Sequence, residues 1–101
     1  MGRWAQRSRG GGGLNPPNFI LSASIIDDAT VEVTYQHPIT AGVFSSFNFE
    51  LLPIAAFQNA ISQVSANVIS LDYGSGATGQ DQIRYAGTAA NVLSPQTVDF
   101  P

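Results

Sequence analysis

After Pro16-Pro17 the sequence consists of short runs in which apolar and polar residues alternate, separated by residues that favour turns. The alternation is clearest in TVEVTY, residues 30–35, where Val31 and Val33 point to the side of an extended chain opposite to Glu32. No amphipathic segment is long enough to favour a helix instead. Runs of this kind at spacings near ten residues predict an all-β, immunoglobulin-like antiparallel β-sandwich of about seven strands.

The strands predicted from the alternation are residues 19–24, 30–35, 47–51, 60–65, 68–73, 82–85 and 97–100. In the third of these, Phe47, Phe49 and Leu51 are expected on the buried face. Residues 54–59 are too few for a secure helix, and we expect them to form one short turn that caps an end of the core.

Turn-forming residues separate these strands. Asp27-Asp28 and Ala66-Asn67 each predict a tight turn, and His37-Pro38 ends the second strand because proline cannot donate to a ladder. The segment GSGATG, residues 74–79, predicts a long, flexible hairpin connection. Its spacing matches G-x-G-x-x-G, but that motif requires a following helix, and a strand is predicted to follow.

Three stretches resemble bacterial immunoglobulin-like repeats of the SwmB type: ASIIDDATVEVTY at 23–35, VSANVISLDY at 64–73 and GQDQIRYAGT at 79–88. The resemblance extends over nearly all of residues 19–100. It implies an immunoglobulin-like fold, in a family whose members form tandem arrays in large surface and secreted proteins. This sequence contains one such repeat, preceded by a cationic segment.

The cationic segment, which we call the arm, comprises residues 1–17, and the sandwich is expected to comprise residues 18–101. Three of the four positive charges, Arg3, Arg7 and Arg9, lie in the arm together with the single tryptophan, Trp4. The last 88 residues contain seven acids, one arginine and no lysine. We predict that Arg3, Trp4, Arg7 and Arg9 bind a partner. The hinge is predicted to consist of four consecutive glycines: Gly10, Gly11, Gly12 and Gly13.

The residue types that carry catalysis are scarce. The chain has one histidine, no cysteine and no lysine, so we expect no enzyme, no cofactor and no metal. His37 is interpreted as a turn residue rather than a general base. A calcium site remains an alternative, in which Asp27-Asp28 join Asp72 or Asp99 at a sandwich end, because Ca²⁺ takes oxygen ligands from loops.

Three roles are open for the arm. Its arginines and tryptophan suit nucleic-acid phosphates and bases, but nucleic-acid modules usually have a basic domain face, and here the domain is acidic. Arginine and tryptophan also dominate the binding energy of protein interfaces. The third role is a solvated tail without a partner. We favour a protein partner and expect no nucleic acid.

Only 11% of the residues are charged, against about 25% in a typical soluble domain. Such a surface is typical of proteins that a partner covers or that work outside the cell. No stretch approaches the ~18 apolar residues that span a bilayer, and glycines and prolines stand where a signal peptide has an apolar core, so we expect neither membrane association nor export.

Together these features predict a structural protein of a virus particle, most simply a bacteriophage, that decorates or cements a capsid. The expected partners are a major capsid or other virion protein and further copies of the chain, in a particle assembled in the host cytoplasm. The alternative is an adhesion or spacer module of a bacterial surface protein. A module that binds RNA through its arm is a weaker third possibility.

Overall fold

The computed structural model describes residues 16–101 of the chain. This part contains eight strands and one 3-10 turn, Ala41–Val43. The strands are β1 (Ile20–Asp27), β2 (Thr30–Tyr35), β3 (Phe49–Leu52), β4 (Ala56–Phe57), β5 (Ala60–Ser65), β6 (Val68–Asp72), β7 (Gln82–Tyr85) and β8 (Gln96–Asp99).

The first sheet has the strand order β1-β2-β6-β5, and every neighbouring pair is antiparallel. On β2, Val31, Val33 and Tyr35 are fully buried while the side chains between them stay partly exposed. Strand β6 repeats this pattern with Ile69 and Leu71. The alternation read from the sequence therefore decides which face of the sheet meets the core.

The second sheet has the order β4-β3-β7-β8, again antiparallel throughout. Leu51 lies opposite Ile83 and Phe49 opposite Tyr85, and all four side chains are fully buried. The two orders are those of strands A-B-E-D and C′-C-F-G of an immunoglobulin sandwich. The predicted fold is confirmed, with the two-residue strand β4 added to the seven expected strands.

Aromatic rings fill the middle of the core. The ring of Phe44, which follows the 3-10 turn, lies 5.0 Å from Phe49, 5.3 Å from Tyr85 and 5.9 Å from Tyr35, measured between centroids. Tyr35 belongs to the first sheet and Phe49 and Tyr85 to the second. Phe44 thus joins the inner faces of both sheets from a loop, with the edge-on and offset geometries that aromatic pairs prefer.

Two sequence predictions about the β3 region are wrong. Phe47 is not on the buried face: it precedes β3 in a turn with φ 63° and is 71% exposed. Its side chain therefore leaves the alternation that Phe49 and Leu51 follow. Residues 54–59 do not form a helical turn, because residues 56–57 pair with β3 as strand β4.

The glycine-rich segment 74–79 is also not a hairpin. Strands β6 and β7 belong to different sheets, so the segment crosses from one layer to the other. The backbone N–H of Ala77 donates to the carbonyl of Asp28 at 2.9 Å, and Ala77 itself is fully buried. The predicted hairpin fails because alternation identifies a strand but not the strand that it pairs with.

Strand β1 extends further than predicted, from Ile20 to Asp27, with irregularities of register near both ends. At its first residue, the side-chain amide of Gln96 acts as a backbone surrogate. Its Oε1 accepts from the Ile20 N–H and its Nε2 donates to the Ile20 carbonyl, each at 2.9 Å. Because Gln96 begins β8, this pair of bonds links the edges of the two sheets.

Candidate functional site

The predicted partner-binding residues Arg3, Trp4, Arg7 and Arg9 lie outside the described residues, as does the predicted hinge, Gly10–Gly13. Their proposed roles remain predictions. The described residues do define the place where the arm joins the sandwich, at Pro16-Pro17 and Asn18. This junction is a candidate site that was not predicted from the sequence.

Asn18 joins the junction to two loops, one that follows β2 in the first sheet and one that precedes β8 in the second. Its side chain is 6% exposed, accepts from the His37 N–H at 2.9 Å and donates to the His37 carbonyl at 3.1 Å, just beyond the end of β2. Its backbone N–H donates to the Asn91 carbonyl at 2.8 Å, and its carbonyl accepts from Leu93 N–H at 2.8 Å. We call this set of bonds the Asn18 clamp.

A cavity of about 460 Å³ opens beside the clamp. Its lining mixes proline rings and aliphatic side chains with the two asparagines and the histidine of the junction. The lining residues are Pro16, Asn18, His37, Pro38, Ile39, Ala90, Asn91 and Val92. The residues at which the arm joins the sandwich therefore line a concave surface and do not project from a loop.

His37 contributes its main chain to the clamp, while its side chain is exposed at the rim of the cavity. Within residues 16–101, the structure brings no three histidine or acidic side chains together in a group that would hold a metal ion. The position of His37 after strand β2 agrees with its interpretation as a turn residue.

The four aspartates of the calcium alternative serve separate local roles. Oδ1 of Asp27 accepts from the Ala29 N–H and Oδ1 of Asp72 from the Gly74 N–H, both at 2.9 Å. Asp99 lies in the second sheet, where its Oδ1 accepts from the Gln82 amide at 2.7 Å. Turn formation explains the first two acids without a metal.

Asp28 fastens the crossing segment to the β1–β2 turn. The backbone N–H groups of Gly76 and Thr78 donate to its carboxylate, with a distance of 3.1 Å from Thr78 N. These hydrogen bonds, that of Gly76 first, lower the pKa of Asp28 because they favour the charged form. The glycine-rich segment is thus held to the sandwich instead of forming a phosphate-binding loop.

An exposed aromatic pair lies at the edge of the second sheet. The rings of Phe47 and Phe57 meet edge to face with their centroids 5.4 Å apart. Phe57 projects outward from β4 opposite Glu50, whose carboxylate lies 3.9 Å from the Arg84 guanidinium. The alternation in the sequence predicted Phe47 in the core, and no sequence signal separated it from the buried phenylalanines.

No helix within residues 16–101 has the length and apolar character to cross a bilayer. No protein-family model, curated protein or solved structure is significantly similar to this chain. The candidate site is therefore defined by geometry alone: the Asn18 clamp between the loops after β2 and before β8, the cavity beside it, and an aromatic pair on a separate surface.

Proposed function

We propose that this protein is a non-enzymatic structural component of a virus particle, a capsid decoration or cement protein of a bacteriophage, anchored by its N-terminal arm. The observation that carries the proposal is the division of the chain at the Asn18 clamp. On one side lies an acidic sandwich, and on the other a segment with three of the four positive charges. The partners are a major capsid or other virion protein and repeated copies of this chain.

The clamp has the connections that an anchoring segment needs. Force applied to the arm reaches Asn18, which is bonded both to His37, just beyond the end of β2, and to the loop that precedes β8. Two residues further along the chain, the bonds between Gln96 and Ile20 join the two sheets directly. A load on the arm is thereby shared between the layers and does not peel the edge strand β1 from β2.

The charges favour a protein partner for the arm. Seven acids and one arginine in the remainder of the chain produce a negative domain, which repels phosphate groups close to the arm. Guanidinium groups also pair with carboxylates and backbone carbonyls, and tryptophan fills apolar pockets at protein interfaces. These properties support an anchor in a protein shell over a nucleic-acid tether.

Deletion of residues 1–13 tests this function. The truncated protein is expected to keep the circular dichroism spectrum of a β-sandwich and to be lost from purified particles. The matched control is the full chain with Thr97→Ala, an exposed change on the second sheet, which is expected to enter particles normally. Normal incorporation of the truncated protein would contradict the proposal.

The exposed aromatic pair favours the adhesion alternative. Two phenylalanines on an outer surface, one of them 71% exposed, suit contact with a sugar ring or an apolar patch on a cell surface. This alternative predicts that the sandwich without its arm binds cells or immobilised glycans. It also predicts that Phe47→Ala abolishes this binding, whereas the particle proposal predicts no effect of Phe47→Ala on incorporation.

A further inference from the structure

The outer face of the first sheet carries a group of hydroxyl and carboxylate side chains. One row crosses the whole sheet in register, Ser24–Glu32–Ser70–Ser62, and Asp27 and Asp72 lie on the same side of the sheet. We call the surface formed by these six residues the hydroxyl face. A carboxylate at its centre is thus flanked by small hydroxyl side chains.

No cation balances this face within the described part of the chain. The single lysine or arginine of residues 16–101 is Arg84, and it lies on the second sheet beside Glu50. Asp27 on β1 and Asp72 on β6 pair with Thr30 of β2 from its two sides, in the row next to that of Glu32. The hydroxyl face therefore presents three carboxylates with acceptor hydroxyls between them, a surface complementary to guanidinium groups.

The spacing of two arginines in the arm matches the spacing of carboxylates on the hydroxyl face. Arg3, Arg7 and Arg9 all have odd numbers, so in an extended segment their side chains lie on one side, about 13 Å and about 7 Å apart at ~3.3 Å per residue. Diagonal neighbours on adjacent strands, such as Glu32 and Asp72, lie about 7–8 Å apart. The small side chains of the face allow an extended segment to lie flat against it.

The direction of the chain at the junction favours a second copy over the same copy. The bonds of Asn18 and Phe19 to the residues after β2 keep this segment in line with β1 as it leaves the sheet. Pro16 and Pro17 themselves favour an extended backbone, at the end of β1 opposite to Asp27. Fifteen residues before Pro16 reach about 50 Å when extended, enough to cross the face of a neighbour.

We infer that the arm of one copy docks on the hydroxyl face of a second copy, with Arg7 and Arg9 paired to Glu32 and Asp72 and with Arg3 adding its positive charge. This inference deepens the proposed function and rests on its premise that the arm binds a protein. The arm joins copies in a chain or ring, because each copy offers one arm and one face.

The test uses the full-length protein and its oligomeric state, measured by sedimentation velocity at low and high salt. We expect association that rises with protein concentration and weakens at high salt, since exposed charge pairs are screened. R3E/R7E/R9E and, separately, E32R/S70R are each expected to be monomeric. Mixed together, the two variants are expected to associate, because the glutamates in the arm of the first variant then meet the arginines on the face of the second.

The matched control is D99R, which makes the same charge change as Glu32→Arg on the outer face of the second sheet, and it is expected to associate like the unchanged protein. Thermal unfolding of each variant establishes that it is folded; if E32R/S70R is not, S24R/S62R replaces it in the same row. A monomeric full-length protein, association that survives R3E/R7E/R9E, or a mixture that stays monomeric would each overturn the inference. Arm-dependent entry into particles by a protein that is monomeric alone would overturn the inference and leave the proposed function standing.

Discussion

The Tyr73 hydroxyl donates a hydrogen bond of 3.0 Å to the backbone carbonyl of Phe49. Tyr73 follows β6 in the first sheet and Phe49 begins β3 in the second, so this bond crosses the sandwich. Burial raises the pKa of Tyr73, which keeps its hydroxyl protonated and able to donate. The chain has no cysteine, so no disulfide joins the two sheets, and this hydrogen bond is one of the polar contacts between them.

Replacement of Tyr73 by phenylalanine is expected to lower the free energy of unfolding by about 1 kcal/mol, because the carbonyl of Phe49 loses its donor in a buried place. The matched change is Tyr35→Phe. The Tyr35 hydroxyl is buried and has no hydrogen-bond partner among the described residues, so its removal is expected to leave stability unchanged or slightly higher. Urea unfolding of the two variants measures the difference, and equal losses would contradict the assigned roles.

Asn18→Ala is expected to lower the free energy of unfolding by about 1–3 kcal/mol, since the backbone N–H and carbonyl of His37 lose their partners. Asn59→Ala, a change at an exposed asparagine, is the control and is expected to have little effect. Hydrogen exchange provides a second measurement: the amide of His37 is expected to lose protection in Asn18→Ala. Unchanged protection there would show that the clamp does not hold the junction.

Gly87→Ala is expected to destabilise the sandwich by about 1–3 kcal/mol. A Cβ at position 87 would lie 2.6 Å from Cε1 and 2.7 Å from Cζ of Tyr85, a fully buried ring that cannot move aside. Gly42→Ala, where no atom lies within 4 Å of the new Cβ, is the matched control. Thermal unfolding followed by circular dichroism distinguishes the two, and a similar midpoint for both variants would exclude close packing at Gly87.

Stability is expected to fall in acid in part through Asp28. Its pKa is lower in the folded protein than in the unfolded chain, so its contribution is present above the unfolded pKa, near 4, and is lost as the pH falls through the folded pKa. Asp28→Asn is therefore expected to flatten the loss of stability below about pH 4. Unfolding midpoints measured from neutral pH to about pH 2 test this, and an unchanged slope in Asp28→Asn would refute it.

Phe47→Asn is expected to change stability by less than about 1 kcal/mol, although it removes a large aromatic group. Phe47 is mostly exposed and its φ of 63° lies in the left-handed region, which asparagine tolerates better than phenylalanine. The contrast is Phe49→Ala, a change at a fully buried ring that is expected to cost about 3–5 kcal/mol. Denaturant unfolding of both variants measures the two losses, and a loss for Phe47→Asn as large as that for Phe49→Ala would show that Phe47 contributes to the core.

The alternation of side chains on β2 and β3 predicted part of the core. Val31, Val33, Phe49 and Leu51 are buried where period-two alternation places them. The same signal failed at Phe47, because one residue with a positive φ turns its side chain out of the series. Backbone conformation at a single residue leaves no trace in an apolar pattern.

The bonds made by side-chain amides could not be predicted at all. Gln96 binds the backbone of Ile20, 76 residues earlier in the chain, and Gln58 binds that of Phe49 at 3.0 Å. Glutamine is common on exposed surfaces, and its spacing carries no period. Such contacts depend on which loops the folded sheets bring together.

Alternation, turns and charge are local properties, and they were sufficient to predict an antiparallel sandwich preceded by a segment in which positive charge is concentrated. Only the folded structure shows that Asn18 is bonded to the loops after β2 and before β8, and that residues 74–79 cross between layers. It also shows that Glu32 lies at the centre of a sheet face on which residues 16–101 place no lysine or arginine. These relationships depend on strand pairing and on contacts between distant residues. These interactions stabilise the protein only once folding has brought the distant residues together.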